Sequence, residues 1–362
     1  DVGWVGMVQS GQKVNDGQWH HVAAARTRGG KVSLFIDGKP AASRALPSED
    51  DAAHIVRLGY TATDFMPAFK GEIDEVRIYK RVLSAKELAA LASGKGPEDA
   101  AAHWSFDSVK GEAVANAREQ VAALLACDER EVVFTSCGTE SNNAALNSAL
   151  LTQPGKRHLV TTAVEHSANM KFGQMHEKRG GEVSWIPVDR AGQIDVHELQ
   201  EAISEDTAAV SVMLANNETG VVFPIEEIAA ICRVKGVPFH TDAVQTAGKL
   251  KLDVKSMGVD FLSLSAHKLH APRGIGLLYT RQGMAWQSYV IGGGQESGRR
   301  GGTENVPYII AFGKAAELAV TSLENDVDRI RALRNRMEEC IMKRMPGITR
   351  NGAKEPRLPN TS

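Results

Sequence analysis

Seven short apolar runs dominate the last two thirds of the chain: EVVFT (131–135), HLVTT (158–162), EVSWIPV (182–188), AAVSVML (208–214), VPFHTD (237–242), VDFLSLS (259–265) and GIGLLYT (274–280). Each reads as a strand, and the stretches between them carry helical spacing, as in PIEEIAAICRVKG (224–236). Short, largely apolar strands with helical crossovers specify a mainly parallel sheet covered on both faces, an α/β domain. Such a sheet binds ligands where its strands end and loops begin. The residues that follow each run are therefore the ones to read for chemistry. Farther on, Val327, Ile330, Leu333, Met337 and Ile341 recur every three or four residues. That spacing predicts a long amphipathic helix whose methionines fill a core.

Residues 1–83 read as β instead. VSLFIDGK (32–39) ends on the turn pair Asp37-Gly38, and GEIDEVRIYKRVL (71–83) alternates Ile73, Val76 and Ile78 with charges. SAKELAALASG predicts a short helix, with Ser84 as N-cap and Gly94 as stop, and KGPEDA (95–100) reads as a linker. The runs DGQWHHVA (16–23), GKVSLFIDGKP (30–40) and FKGEIDEVRIYKRVLSAKEL (69–88) resemble laminin-G-like, concanavalin-type jelly-roll modules. The resemblance implies a partial all-β jelly roll over 1–94. AAHWSFDSVKGEAV (101–114) resembles the opening strand of a second copy, so 95–116 reads as linker plus the start of that copy. The pattern turns helical near Ala117, at AREQVAALLA. Asp37, Asp64 and Asp74 read as turn and surface residues, and His20 and His21 as strand residues with no third ligand, so no metal site is expected.

A length of 362 residues leads us to expect more than one domain, and a net charge of -2 argues against a broad nucleic-acid surface. No apolar run reads as long enough to span a bilayer. Cys127, Cys137, Cys232 and Cys340 form no C-x-x-C pair and read as reduced, buried and inert, in a cytoplasmic protein. The chain opens on Asp1 and closes on RLPNTS, and both ends are expected to be internal to something longer.

Four strand ends carry reactive groups. Lys268 follows VDFLSLS, where a partly desolvated amine can attack a carbonyl to form a Schiff base. Gly138, Thr139 and Glu140 open the helix after EVVFT, and exposed amides with a hydroxyl there make a phosphate cup. Asp242 ends an apolar strand, where a carboxylate is costly unless it meets a cation, such as a protonated pyridine nitrogen. His166, in AVEHSANM, offers a flat ring for stacking and proton transfer. Singly these are equally a surface lysine, an ordinary helix cap, a turn carboxylate and a structural histidine. Together they specify a phosphate, an aromatic cation and an aldehyde: pyridoxal 5′-phosphate.

From about 117 to 362 the runs FTSCGTESNN, VEHSA, NNETGVVFPIEEIA, FHTDAVQTAGK, SLSAHKLHAPRGIGLLY, GRRGGTEN and RLPNTS resemble the cysteine desulfurases. These belong to fold-type I of the class V aminotransferase group, and the likeness is to the nitrogen-fixation-associated type. The resemblance implies a pyridoxal phosphate-dependent transferase-like large domain over 117–320 and the start of a small C-terminal domain over 321–362. It implies that Lys268 holds the cofactor covalently and acts as base on the substrate α-carbon, with His166 stacked on the ring and Asp242 paired to its nitrogen. Gln245 and Asn216 would bond the phenolic oxygen side. Thr139, Ser265 and His267 would hold the phosphate, with the Glu140 amide nearby. Thr303 would reach across a homodimer interface to the partner's phosphate, and Arg357 would clamp the substrate carboxylate.

The implied reaction converts L-cysteine to L-alanine and passes sulfur to a thiolate, for an iron–sulfur scaffold or another acceptor protein, in the cytoplasm and with no nucleic acid or membrane involved. The family's loop cysteine is expected after Ser362, so impaired turnover is expected of these 362 residues. The alternatives are another class V enzyme, a selenocysteine lyase or an aminotransferase. Beyond these stand a binding protein built on the jelly-roll module, normally extracytoplasmic, and a non-functional fusion.

Overall fold

The computed structural model describes residues 18, 20–26, 31–45, 76–79, 81–93, 97–100, 102–104, 112–345 and 347–362. Two compact units divide the chain, Asp1–Val109 and Lys110–Ser362.

In the first unit β1 (Val22–Arg26), β2 (Lys31–Ile36) and β3 (Lys39–Ala45) form an antiparallel meander. Asp37-Gly38 makes the tight turn, with φ of 52° and 74°. Asp37 spends its carboxylate on the His21 N–H and the His20 ring, both at 2.9 Å, so it is the turn residue its sequence suggests. His20 and His21 lie just before β1 rather than within it. β4 (Val76–Ile78) precedes α1 (Ala85–Ala92). The helix starts on a capping box in which the Glu87 N–H donates to Ser84 Oγ and the Ser84 N–H to Glu87 Oε2. β5 (Ala102–Trp104) pairs antiparallel with β4. β5, in the run that resembles the start of a second module copy, thus pairs with β4, and the first unit runs to Val109. Asp64, Asp74, the Gly94 stop and residues 71–75 lie outside the described residues.

The second unit opens with α2 (Glu112–Leu125), five residues before the expected start near Ala117. Strands and helices then alternate: β6 (Val132–Thr135), α3 (Gly138–Thr152), β7 (His158–Thr162), α4 (Ser167–Lys178), β8 (Glu182–Ile186), α5 (Val196–Ala202), β9 (Thr207–Ser211), α6 (Ile225–Lys235), β10 (Phe239–Asp242), α7 (Val254–Met257), β11 (Phe261–Ser265), β12 (Gly276–Thr280) and α8 (Val306–Arg344). The seven apolar runs become one seven-stranded sheet in the order β6-β12-β11-β10-β9-β7-β8. All strands point the same way except β12, antiparallel to both neighbours.

Alternation along the strands sorts two unlike faces. On one, Leu262, Leu264 and Tyr279 join Val121 and Leu125 of α2 and Ile309 and Phe312 of α8 in the main core. Full burial of each such side chain contributes roughly 1.5–3 kcal/mol. On the other, α3 covers Phe261 and Leu278 through Ala144 and Ala145, but the same face also carries polar residues. His240, Ser211 and Ser263 there form a closed set, with the imidazole bonded to both hydroxyls at 2.8 and 2.9 Å. Burial pushes His240 down to about 3, so it sits neutral and structural. The sheet is dry and apolar behind, and polar beneath α3.

α8 departs from two expectations. Its first half, Val306–Leu323, is apolar enough and long enough to cross a membrane by composition, contrary to the reading that no run is. Ile309, Phe312 and Ala316 nonetheless face the core, and Gln120 of α2 donates to Glu317 at 2.8 Å. Its second half carries the predicted stripe, but Leu333 is 56 % and Met337 47 % exposed, with Ile341 also exposed. Among the described residues nothing covers that face, so the stripe does not fill a core here.

Candidate functional site

Because β6, β7, β9, β10 and β11 run parallel, their C-terminal ends share one edge, and the loops that leave that edge carry the candidate residues. Asp242 is the last residue of β10 and only 5 % exposed. Asn142 Nδ2 donates to Oδ2 at 2.6 Å and the Val244 N–H to Oδ1 at 3.0 Å. Burial raises its pKa above the ordinary carboxylate range, and these two neutral donors pull the other way. His166 and Lys268 lie within electrostatic reach, each favouring the ionised carboxylate. A buried carboxylate with only neutral donors bonded to it is costly to ionise, and a cation beside it would offset that cost.

Lys268 is half-buried in the short turn Ala266–Leu269 that follows β11. His166 is the N-cap of α4 and exposed, and its Nδ1 accepts from the Ala168 N–H at 3.2 Å. That bond leaves the ring face uncommitted. Next to it Glu165 is fully buried and pushed up to about 7 by that burial. It accepts from Thr162 Oγ1, Asn169 Nδ2 and the Met213 N–H at 2.8–3.0 Å, tying the loop after β7 to the loop after β9. Asn216 completes the tie: its Nδ2 donates to the Val164 carbonyl at 3.1 Å, and its Oδ1 accepts from the Glu218 and Thr219 amides. Asn216 is thus engaged locally, and Gln245 is half-buried on the loop after β10.

The cup forms at the start of α3. Among the described residues the amides of Gly138, Thr139 and Glu140 have no protein acceptor, the normal state of a helix N-terminus. Thr139 is exposed beside them. Ser265 closes the other side, its Oγ bonded to His267 Nδ1 at 2.9 Å. A Cβ at Gly138 would lie 2.8 Å from Val244 Cγ2 and 3.4 Å from Ser265 Cβ. Glycine is what lets the helix start approach Ser265 this closely. Three open amides, two hydroxyls and a helix dipole suit a phosphate, and the penalised Asp242 suits a pyridinium. The residues present therefore fit pyridoxal phosphate.

Two site residues stand apart. Thr303 is exposed on the loop before α8. Arg357 does not present an open fork. Its Nη1 and Nη2 donate to Glu338 Oε1 and Oε2 of α8 at 2.6 and 3.0 Å, with its side chain 2 % exposed. Its fork is bonded to an internal carboxylate here, and the pair braces the C-terminal segment. Arg357 in turn drives Glu338 down to about 2. A depressed carboxylate gives stability that is full above its unfolded value near 4.5 and lost as pH falls through the folded one. Acidification from pH 5 toward 2 is expected to lower the protection factors, each rate taken relative to the intrinsic rate at that pH, of the Leu358 and Val222 amides, which tie 356–358 to 220–222. Glu338→Gln is expected to abolish that pH dependence.

The four cysteines are unpaired, but not all are buried, since Cys340 is exposed on α8. Cys127 and Cys232 are pushed up to about 12 by burial and are inert thiols. Sequence reading missed Asn142, Glu165 and Arg300, which bonds Glu140. Asn142 had a signal: it lies four residues after Gly138, on the helix face turned to the sheet, where an amide needs a partner.

The profile described as "Aminotransferase class-V" matches residues 99–362, and that of the "Concanavalin A-like lectin/glucanases superfamily" matches 2–89. "Cysteine desulfurase 2" of Trichormus variabilis is 52 % identical over 258 residues, 71 % of this chain and 65 % of the relative. "Cysteine desulfurase NifS" of Azotobacter vinelandii is 44 % identical over 259 residues, 71 % of this chain and 64 % of the relative. The chain thus spans slightly less than two thirds of the length of these relatives. Among solved structures, a "NIFS-LIKE PROTEIN" superposes with a TM-score of 0.67 at 35 % identity, covering 79 % of this chain and 78 % of the other. "SspA in complex with cysteine" gives 0.56 at 38 % identity, covering 57 % and 60 %.

Proposed function

The chain belongs, over residues 99–362, to the class-V aminotransferase family, and on that premise we propose that it is a cysteine desulfurase. It would convert L-cysteine and an acceptor thiol to L-alanine and the acceptor's persulfide, so that one sulfur atom moves and no outside oxidant is needed. The observation that carries the reading is Asp242: a buried carboxylate, bonded only by neutral donors, with Lys268 and His166 in electrostatic reach. The family and the cysteine desulfurases it matches depend on pyridoxal phosphate. When bound, that group supplies an aldehyde for an amine and a ring that withdraws electrons from carbon.

The chain's own residues do the rest. Lys268 would hold the cofactor through its Nζ and would move a proton at the substrate α-carbon. Asp242, held by Asn142, would favour a proton on the ring nitrogen. His166 would stack on the ring, on a loop that Glu165 ties to Met213. The amides of Thr139 and Glu140, with the Thr139 and Ser265 hydroxyls and His267, would hold the phosphate. Cys127 and Cys232 do not suit the sulfur-accepting thiol. The reading extends to a homodimer in which Thr303 serves the partner's phosphate, to delivery of sulfur to an iron–sulfur scaffold, and to the cytoplasm, where unpaired cysteines persist.

The test supplies pyridoxal phosphate, L-cysteine and dithiothreitol as acceptor. Alanine and sulfide are expected in equal amounts. Transfer of the amino group to an added 2-oxoacid, with no sulfide released, would instead identify an aminotransferase.

A further inference from the structure

The glycine-rich loop before α8, residues 291–303, is fastened to the second unit at three points. Glu296 is buried; both its oxygens accept from Arg118 at 2.8 Å, and Oε2 also accepts from the Phe134 N–H at 2.9 Å. Arg299 donates to the carbonyls of Arg130 and Val132 at 2.7 and 3.0 Å. Arg300 donates to Glu140, Nε to Oε1 at 2.8 Å and Nη2 to Oε2 at 3.1 Å. The first two points grip the strand β6 and hold Glu296 and Ser297 in left-handed backbone, φ 49° and 57°. Such a conformation persists only where surrounding contacts impose it. The loop is therefore already placed without Arg300, and only Arg300 reaches the cup.

Glu140 poses a problem for that cup. Its amide is one of the three open donors, yet its own carboxylate folds back onto the Ser136 N–H at 2.9 Å. The side chains of Glu140 and Arg300 are 10 % and 22 % exposed, so solvent screens them weakly. A bare carboxylate here would repel a phosphate dianion. Building on the cofactor reading above, we propose that Arg300 makes the cup fit for phosphate by cancelling the charge of Glu140. The carboxylate then keeps its role in fixing the preceding loop. Arg300 acts through Glu140 and is a positioning residue.

The test measures binding of inorganic phosphate by calorimetry and of pyridoxal phosphate by visible absorbance, on the cofactor-free full chain. The proteins are wild type, Arg300→Ala, Arg300→Lys, Glu140→Gln and the double variant Arg300→Ala/Glu140→Gln. Glutamine keeps an acceptor for the Ser136 N–H. Arg300→Ala is expected to bind both ligands about tenfold more weakly, Arg300→Lys within about threefold of wild type, and Glu140→Gln no more weakly than wild type. The decisive protein is the double variant, expected within about threefold of wild type, because removing the carboxylate removes the need for its partner. Recovery there also shows that the variants fold. A double variant as weak as Arg300→Ala, or an Arg300→Ala protein that binds like wild type, overturns the inference alone. Wild type that binds neither ligand overturns the cofactor reading, and this inference with it.

Discussion

Lys268→Ala loses the visible band that forms when the wild-type chain meets pyridoxal phosphate, and alanine production from cysteine falls by about 10³-fold or more. The effect is large because no other amine is presented in the turn after β11. Lys249 is the nearest rival. Burial, reinforced by the charge of Lys268, pushes it down to about 8. Its Nζ, however, is already bonded to the Gln245 carbonyl at 2.8 Å. Lys268→Ala should still bind inorganic phosphate like wild type, since Thr139, Ser265 and the start of α3 are untouched. Loss of phosphate binding as well would mean that the substitution disturbed the fold rather than the chemistry.

Asp242→Asn separates stability from function. The folded pKa of Asp242 is raised, above an ordinary 3.8, because the group is buried. The stability it allows is therefore full below that ordinary value and is lost as pH rises through the folded one. Cofactor-free Asp242→Asn is expected to melt no lower than wild type at pH 7, and the difference should grow between pH 4 and 7. Catalysis should move the other way, falling on the order of 10²-fold or more, because an amide cannot keep the ring nitrogen protonated. Thermal melts across pH and alanine assays on the same preparations check both halves. A wild type more stable than the variant at neutral pH would mean that the buried carboxylate meets a cation within the protein itself.

The α/β unit was legible because its signal is periodicity. Seven apolar runs gave seven strands, and Ser84, Asp37 and the strand-end residues Asp242 and Lys268 stood where their local pattern put them. What pattern misses is who packs on the far side. Leu333 and Met337 have core spacing, but among the described residues nothing covers them. The segment AHW looked like a new beginning and instead pairs with Val76–Ile78. Ion pairs between distant positions leave no local trace: Arg300 meets Glu140 across 160 residues, and Arg118 meets Glu296 across 178. The Arg357–Glu338 pair was invisible for the same reason, since a guanidinium suited to a substrate carboxylate is equally suited to a carboxylate 19 residues away.

The most direct measurement is a mass map of the lysines after the wild-type chain is incubated with pyridoxal phosphate and reduced with borohydride. One cofactor fixed per chain, on the peptide that contains Lys268 and suppressed by competing inorganic phosphate, is the predicted result. Cofactor found on Lys249, or scattered over surface lysines and indifferent to phosphate, would contradict it.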